Sequence, residues 1–552
     1  MKLRVIMGLL AGCIIAAAEE IRSVEEAIPS SVKALAAPSI TDFPQGIQMA
    51  VTAATDQAQT HVNQGINHLH GAWEFQASRH FAAAMREDPE CLLAHWGMLM
   101  TLLSPSPETV EARAAATERL LHLINKGNGS ELERGYAYGI VKFLEDGPQG
   151  AANAYRIISE KFPNDLQSPI FAALFGRDGY DELGFPRAGQ ETAEKNLLAL
   201  TKKHPLSPVP LNALLSIRAE APDLVNSMDL ARKLHEISPN YPPHAHLVGH
   251  FQWRCGDHKN ALKSFTDATE AFTEWMKSQS VSAADCPEWL KSECYRIVAL
   301  NSVGKAEAAI QAAKEIAQTP YPKDRSDSPG ARLIFWDAET LVARLLLHRG
   351  LPGDASDALA FMGKPLTLKA ERKNSLAHWW SDGLRIVLET QRLIESNELT
   401  KAREALNALA FHGENMAKTQ QAASAAGERS AWNRAFRALE TLAGSLRGRI
   451  VLLGPQDRIG TAYNWFAAAA DSQGHAPLMF PPMVLTPMPI HLGEFFLAQN
   501  QPNDAIAAYE RALTAFPNDH QALRGLEKAF LSAKLPEKAE ATRKTLDRLL
   551  AP

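Results

Sequence analysis

The sequence predicts an all-α protein, built as a right-handed α-solenoid of paired helices. Three observations carry that prediction. From about Met49 onward apolar residues recur at helical spacing, while apolar–polar alternation bounded by turn residues is scarce. Leucine and alanine are abundant, and clusters of valine, isoleucine and threonine are few. A unit of helix, polar turn, helix and closing proline returns several times along the chain. The composition, 46% hydrophobic and 22% charged over 552 residues, suits several globular domains or one long repeat array.

Taken in order, the chain opens MKLRVIMGLLAGCIIAAAEE. Lys2 and Arg4 form a positive start, and Val5 to Ala18 is an apolar run too short to span a bilayer comfortably. Ala16-Ala17-Ala18 before Glu19 reads as a cleavage site, so residues 1–18 are expected to be a signal peptide and the protein to be exported, periplasmic or secreted. A second reading stays open. Leu10-Ala11-Gly12-Cys13 resembles a bacterial lipobox, which would make Cys13 a lipid anchor. Residues 19–50 mix acidic residues, serine, proline and alanine and are expected to form a loosely ordered leader. No later segment is apolar for long enough to be a transmembrane helix.

The clearest repeat unit lies near the C-terminus: LGEFFLAQNQPNDAIAAYERALTAFPND. Gly493, Ala505 and Ala512 are small where two helices must cross closely, Tyr509 fills the gap between neighbours, and Pro517 ends the unit. The same template fits Gly65, Ala77, Phe81, Ala84 and Pro89, then Gly249, Ala261, Phe265 and Ala268, then Leu523, Leu526, Phe530 and Ala539. This pattern resembles the tetratricopeptide repeat (TPR). More degenerate units are expected over 231–239, 293–316 and 394–409. The resulting arrays are 51–320 and 331–552. Between them TPYPKDRSDSPG, 319–330, is a proline- and charge-rich loop. SQGHAPLMFPPMVLTPMP, 472–489, holds five prolines and cannot be regular helix. Its Met479, Phe480, Met483 and Leu485 predict an ordered loop docked on a neighbouring surface.

Four stretches together resemble a family of bacterial exported TPR proteins. They are the first repeat with Asp88, Pro89, Cys91, Trp96 and Gly97; FPNDLQSPIFAALF with Pro163 and Asp165; HAHLVGHFQWRCGDHKNA with His246 and His250; and PMPIHLGEFFLAQNQPNDAIAAYERAL. The resemblance implies the fold and export and implies no known reaction. The chain departs from the family where further histidines often follow a His-Pro. Here HPLSPVPLNALLSIRAE keeps His204-Pro205 alone.

The third stretch raises the functional question. His246, His250 and Trp253 stand at i, i+4 and i+7, one stripe of a helix, with Arg254 beside them. In TPR arrays that stripe lines the concave groove, where extended peptides bind. Three readings compete: histidines that hydrogen-bond and pack against the next repeat; a ligand groove with Trp253 stacking and Arg254 pairing a carboxylate; and a metal shared by His246 and His250, with further ligands unnamed. His68, His70, Cys91 and His95 cluster in the first repeat. That repeat fits the template imperfectly, since Val62, Ile66 and Leu69 take the groove side, so either other chain covers the groove or the register differs. Arg524 and Lys528 fall on the groove stripe of the last repeat, where two readings stand: a solvated charged face, or a grip on an acidic peptide.

Other function classes are disfavoured. Net charge is −5 and pI about 6.4, with 7% aromatics, so no basic, base-stacking footprint of a nucleic-acid binder is present. His235-Glu236 runs into Pro239 and not into a zinc-protease motif, and no GxSxG elbow, Walker loop, GxGxxG or EF-hand loop occurs. Beyond Cys13, Cys91, Cys255, Cys286 and Cys294 permit two disulfides or four free thiols, and there is no CxxC pair. The expectation is therefore a non-enzymatic scaffold without a cofactor, binding a peptide, protein or cell-envelope partner. The alternative is a metal-binding or metal-dependent hydrolytic protein using the groove histidines.

Overall fold

The computed structural model describes residues 21–104, 108–181, 184–320, 334–363, 376–422, 429–454, 459–474 and 476–551. The signal peptide, with the lipobox at Cys13, and most of the loop 319–330 lie outside them. Helices follow one another from Asp56–His70 to Pro536–Leu550, each packed chiefly on its neighbours in the chain. Among the described residues no strand forms, and one isolated antiparallel bridge joins Tyr180 and Pro186.

The packing explains the repeat pattern. A Cβ added to Gly65 would lie 2.7 Å from the Phe81 ring; at Gly249 it would lie 2.9 Å from Phe265, and at Gly493 2.5 Å from Tyr509. Each aromatic therefore presses on backbone that a side chain would hold away. Phe81 and Tyr509 are also pressed by the first helix of the following repeat, at Gly97 and Gly525, where a Cβ would meet the ring at 2.1 Å. One large ring thus bridges two neighbouring glycines across the joint, which is how stacked helix pairs bury their faces. The sequence reading missed a further unit of the same kind, Gly139 against Tyr155. Its two helices run together as Glu131–Lys161, and the turn between them is Gly147, at φ +71, followed by Pro148. Glycine tolerates that positive φ, and proline sits at the first position of the second helix.

The array winds back on itself. His258 Nε2 donates to the Pro517 carbonyl at 3.0 Å, and Asn518 Nδ2 to the Gly256 carbonyl at 3.0 Å. Gln521 Nε2 donates to the His348 carbonyl at 2.5 Å. Repeats about 260 residues apart in sequence thus meet, and the concave side is partly closed. Cys91, Cys255, Cys286 and Cys294 are all free thiols.

Candidate functional site

The concave side divides into three stretches. The first is the helix Asp56–His70, covered by residues 41–54, of which the sequence reading placed 41–50 in a loose leader and 51–54 in the first array. Asn67 accepts from Ile47 N at 2.7 Å and donates to Ile47 O at 2.9 Å. Asn63 treats Met49 the same way, at 2.8 and 3.0 Å, and Gln59 accepts from Val51 N at 3.2 Å. The registers match physically. Alternate residues of an extended chain advance about 6.6 Å, and one i to i+4 step of a helix about 6.0 Å. Gln64 grips Thr41 through both its N–H and its carbonyl, at 2.9 and 2.8 Å. Glu133 accepts from Thr52 N at 2.7 Å and Asp88 from Ala54 N at 2.7 Å. The imperfect fit of the first repeat is therefore a covered groove, and its register is right. Its histidines are interior: His61 and His80 share a 3.0 Å contact between their Nδ1 atoms, His68 Nδ1 faces Tyr241 Oη at 3.1 Å, and His95 Nε2 donates to Pro89 O at 2.9 Å.

The second stretch holds the histidine stripe. The helix Pro242–Arg254 does place His246, His250, Trp253 and Arg254 toward the concave side, but not as open surface. They are 2%, 0%, 7% and 6% exposed. The chain's own segment 476–482 runs over His246 and Arg254, and Ala219, Tyr295 and Ser302 cover His250 and Trp253. His246 Nε2 donates to Leu478 O at 3.2 Å, and its Nδ1 faces Ser292 Oγ at 2.9 Å. His250 Nε2 donates to Ala219 O at 3.0 Å. Arg254 donates to Ala476 O at 3.0 Å, to Ala221 O at 2.8 Å and to Ala219 O at 3.3 Å. Trp253 donates to Ser302 Oγ at 3.0 Å and packs among Phe265 and Tyr295. Burial drives the His250 pKa down to about 3 and that of His246 well below the ordinary imidazole value, so both rings are neutral.

That geometry bears on the metal reading. A carbonyl can only accept, so Nε2 of each histidine carries the proton and is not a free metal donor. Among the described residues no group of three or more histidine, cysteine, aspartate or glutamate side chains stands ready for a metal ion.

The third stretch is open. A cavity of about 680 Å³ lies between the helices Glu339–Arg349, Leu376–Glu395, Arg429–Leu452, Pro489–Ala498 and His520–Ser532. Arg524 and Lys528 line it, and both are exposed with no ion pair among the described residues. The other charges on the wall are engaged. Arg349 binds Asp354 at 2.6 Å, Glu494 meets His491 at 3.2 Å, Glu395 accepts from Gln391 at 2.6 Å, and Arg449 reaches the Gln391 carbonyl oxygen. Phe466, Phe495 and Tyr509 give the wall an apolar part. Arg524 and Lys528 stand one turn apart on their helix, as an extended ligand running across the groove requires.

Of the residues singled out from the sequence, Arg524 and Lys528 line the open cavity, while His246, His250, Trp253 and Arg254 are buried. What the sequence reading missed was the amide stripe Gln59, Asn63 and Asn67. Its i, i+4, i+8 spacing was visible, but buried amides at that spacing name no partner. No family model matches the chain. No curated protein matches it either. Solved structures do. The TPR domain of P58(IPK) is 14% identical, over 87% of this chain and 99% of that one, with a TM-score of 0.22. Human IFIT1, as a dimer with m7Gppp-AAAA, is 10% identical over 91% and 97%, with a TM-score of 0.34. Yeast Tom70 is 12% identical over 90% and 92%, with a TM-score of 0.28. At such scores the likenesses carry no argument about function; the fold of this chain, an α-solenoid of TPR-like helix pairs, rests on the glycine–aromatic joints described above.

Proposed function

We propose that the protein is an exported scaffold that binds an acidic peptide or protein segment through the cavity of its last repeats. The observation that carries this is the pairing of room with positive charge: about 680 Å³ of space, and Arg524 and Lys528 exposed on its wall with no ion pair among the described residues. Carboxylates of a ligand would meet these cations, while an apolar side chain would lie against Phe466 and Phe495. The reading is of a binding protein, because a roomy wall carrying two exposed cations and an apolar part suits an acidic, partly apolar ligand. Export rests on Lys2, Arg4 and the apolar run to Ala18, with lipidation of Cys13 as its variant. Among the described residues no helix is long and apolar enough to cross a membrane.

The test is fluorescence anisotropy with a labelled acidic hexapeptide carrying one phenylalanine. The wild-type chain should bind it in a salt-sensitive way, and the Arg524→Glu/Lys528→Glu variant at least about tenfold more weakly with unchanged circular dichroism. Equal binding by the two proteins, or none by the wild type, defeats the proposal. Fusion of residues 1–18 to a periplasmic reporter tests export.

A further inference from the structure

We propose that the inner wall formed by the helices Pro242–Arg254, Pro287–Ser302 and Glu339–Arg349 is a receptor for an extended, proline-rich peptide. Residues 476–482 are its resident ligand, and a segment of the same chemistry supplied in trans displaces them. The site is separate from the Arg524 cavity and does not depend on the reading given to it.

The wall reads the main chain. Arg254 donates to Ala476 O and His246 to Leu478 O, while Tyr295 Oη lies against both Pro477 O and Phe480 O and gives its single proton to one or shares it between them. Arg344 donates to Pro481 O and Pro482 O, at 3.3 and 2.5 Å. Six of the seven carbonyls from Ala476 to Pro482 lie within reach of a wall donor, two of them sharing the Tyr295 hydroxyl. These contacts all run one way, from wall donors to segment acceptors. A proline carries no N–H, so a buried segment rich in proline brings few donors that would need partners. Arginine, tyrosine and N–H-bearing histidine are the complementary set, able to satisfy carbonyls in a dry groove. Because carbonyls are common to every peptide, this part of the recognition does not depend on the chain's own side chains. The side-chain anchor is Phe480, which lies 4.8 Å under the Arg434 guanidinium.

The segment is also built to leave. Gln473 closes its base: its amide donates to Thr486 O at 2.9 Å and to Val484 O at 3.3 Å, and it accepts from Met488 N at 2.7 Å. The flanking helices Ile459–Ser472 and Pro489–Ala498 are thereby joined independently of what the loop does beyond that clamp. Departure of the loop leaves Arg254, Arg344, Tyr295 and His246 with unmet donors, which a similar peptide satisfies. The tether gives the resident segment a high effective concentration, so an outside peptide competes poorly with it in the wild-type chain.

The experiment uses the full chain and a labelled peptide of sequence APLMFPPMV, residues 476–484. In one variant residues 476–482 become a Gly/Ser linker of equal length; in a second, Phe480→Ala loosens the loop without removing it. Each should bind the peptide at least about tenfold more tightly than the wild type does. Tyr295→Phe added to either should weaken binding at least about fivefold, and a peptide with its three prolines changed to alanine, which gains three N–H donors, should bind at least about tenfold more weakly. Arg524→Glu/Lys528→Glu should leave this binding unchanged, which separates the site from the cavity. Should the linker variant fail to fold, Phe480→Ala decides. A folded opened variant that binds no better than the wild type, or that ignores proline and Tyr295, overturns the proposal.

Discussion

Two extended segments lie in the concave side of this protein, and the walls that hold them are chemically different. Residues 47–51 meet Asn67 and Asn63, which both give and take hydrogen bonds, and Gln59, which accepts from Val51 N. Residues 476–482 meet arginine, tyrosine and histidine, which there only give. The first segment is ordinary peptide with an N–H at every residue. The second contains Pro477, Pro481 and Pro482 and is short of donors. A buried backbone must have each polar group satisfied, so the wall chemistry follows the backbone chemistry of what it covers. A carboxamide mirrors a peptide group; a guanidinium or phenol suits a row of bare carbonyls.

The comparison is broken most severely at Arg344. Arg344→Met strands Asp337, whose carboxylate it binds at 2.6 Å with both side chains almost fully buried, and frees two proline carbonyls. The expected loss is about 3–5 kcal/mol in urea unfolding. Asp337 is already pushed above the ordinary carboxylate range by burial, so part of the loss is relieved by its protonation, and the deficit should shrink as pH is lowered. On the other side, Asn67→Leu leaves both Ile47 groups unmet and should cost about 1–3 kcal/mol. It should also open residues 41–54 to proteinase K while leaving 476–482 protected. The converse pattern, or cleavage at both, would mean that the two covers are coupled.

Acid sharpens the contrast, because carboxamides do not titrate and histidines do. His250 has a folded pKa of about 3 against about 6.5 unfolded, so between these values the unfolded chain binds the extra proton. Stability should be flat on this account above pH 6.5 and fall as pH drops, with a slope approaching about 1.4 kcal/mol per pH unit for each such ring. Glu288, raised to about 7 by burial, works in the opposite sense between about pH 4.5 and 7. His68 and His244, both held near 3, add to the histidine side. Urea midpoints from pH 7.5 to 4.5 should therefore fall, and His250→Gln should fall less steeply than the wild type. The smallest effect on stability is expected at the open cavity. Arg524→Glu and Lys528→Glu, on exposed side chains with no ion pair among the described residues, should each shift stability by no more than about 0.5 kcal/mol.

Much of the fold was legible because its contacts are local. Gly65 and Phe81, Gly249 and Phe265, and Gly493 and Tyr509 stand at one constant spacing, and the helix–turn–helix between them brings each pair together. Gly139 and Tyr155 share that spacing, with a polar turn Glu145-Asp146-Gly147-Pro148 between them, and were legible on the same terms. Arg524 and Lys528 were legible as groove residues for the same local reason. Exposure was not. His246, His250, Trp253 and Arg254 occupy the face that the spacing assigns them, yet all four are buried, His246 and Arg254 under residues more than 200 positions away. Periodicity places a side chain on a face of its helix and is silent about what lies over that face.

By itself, then, the sequence determined the helix pairs, the small-against-large joints that stack them and the direction in which each stripe points. All of these follow from residue spacing within one or two repeats. The tertiary structure decided which parts of the concave side remain open. Each joint adds a small rotation, and only their sum over many repeats sets where the array meets itself and where residues 41–54 and 476–482 come to lie.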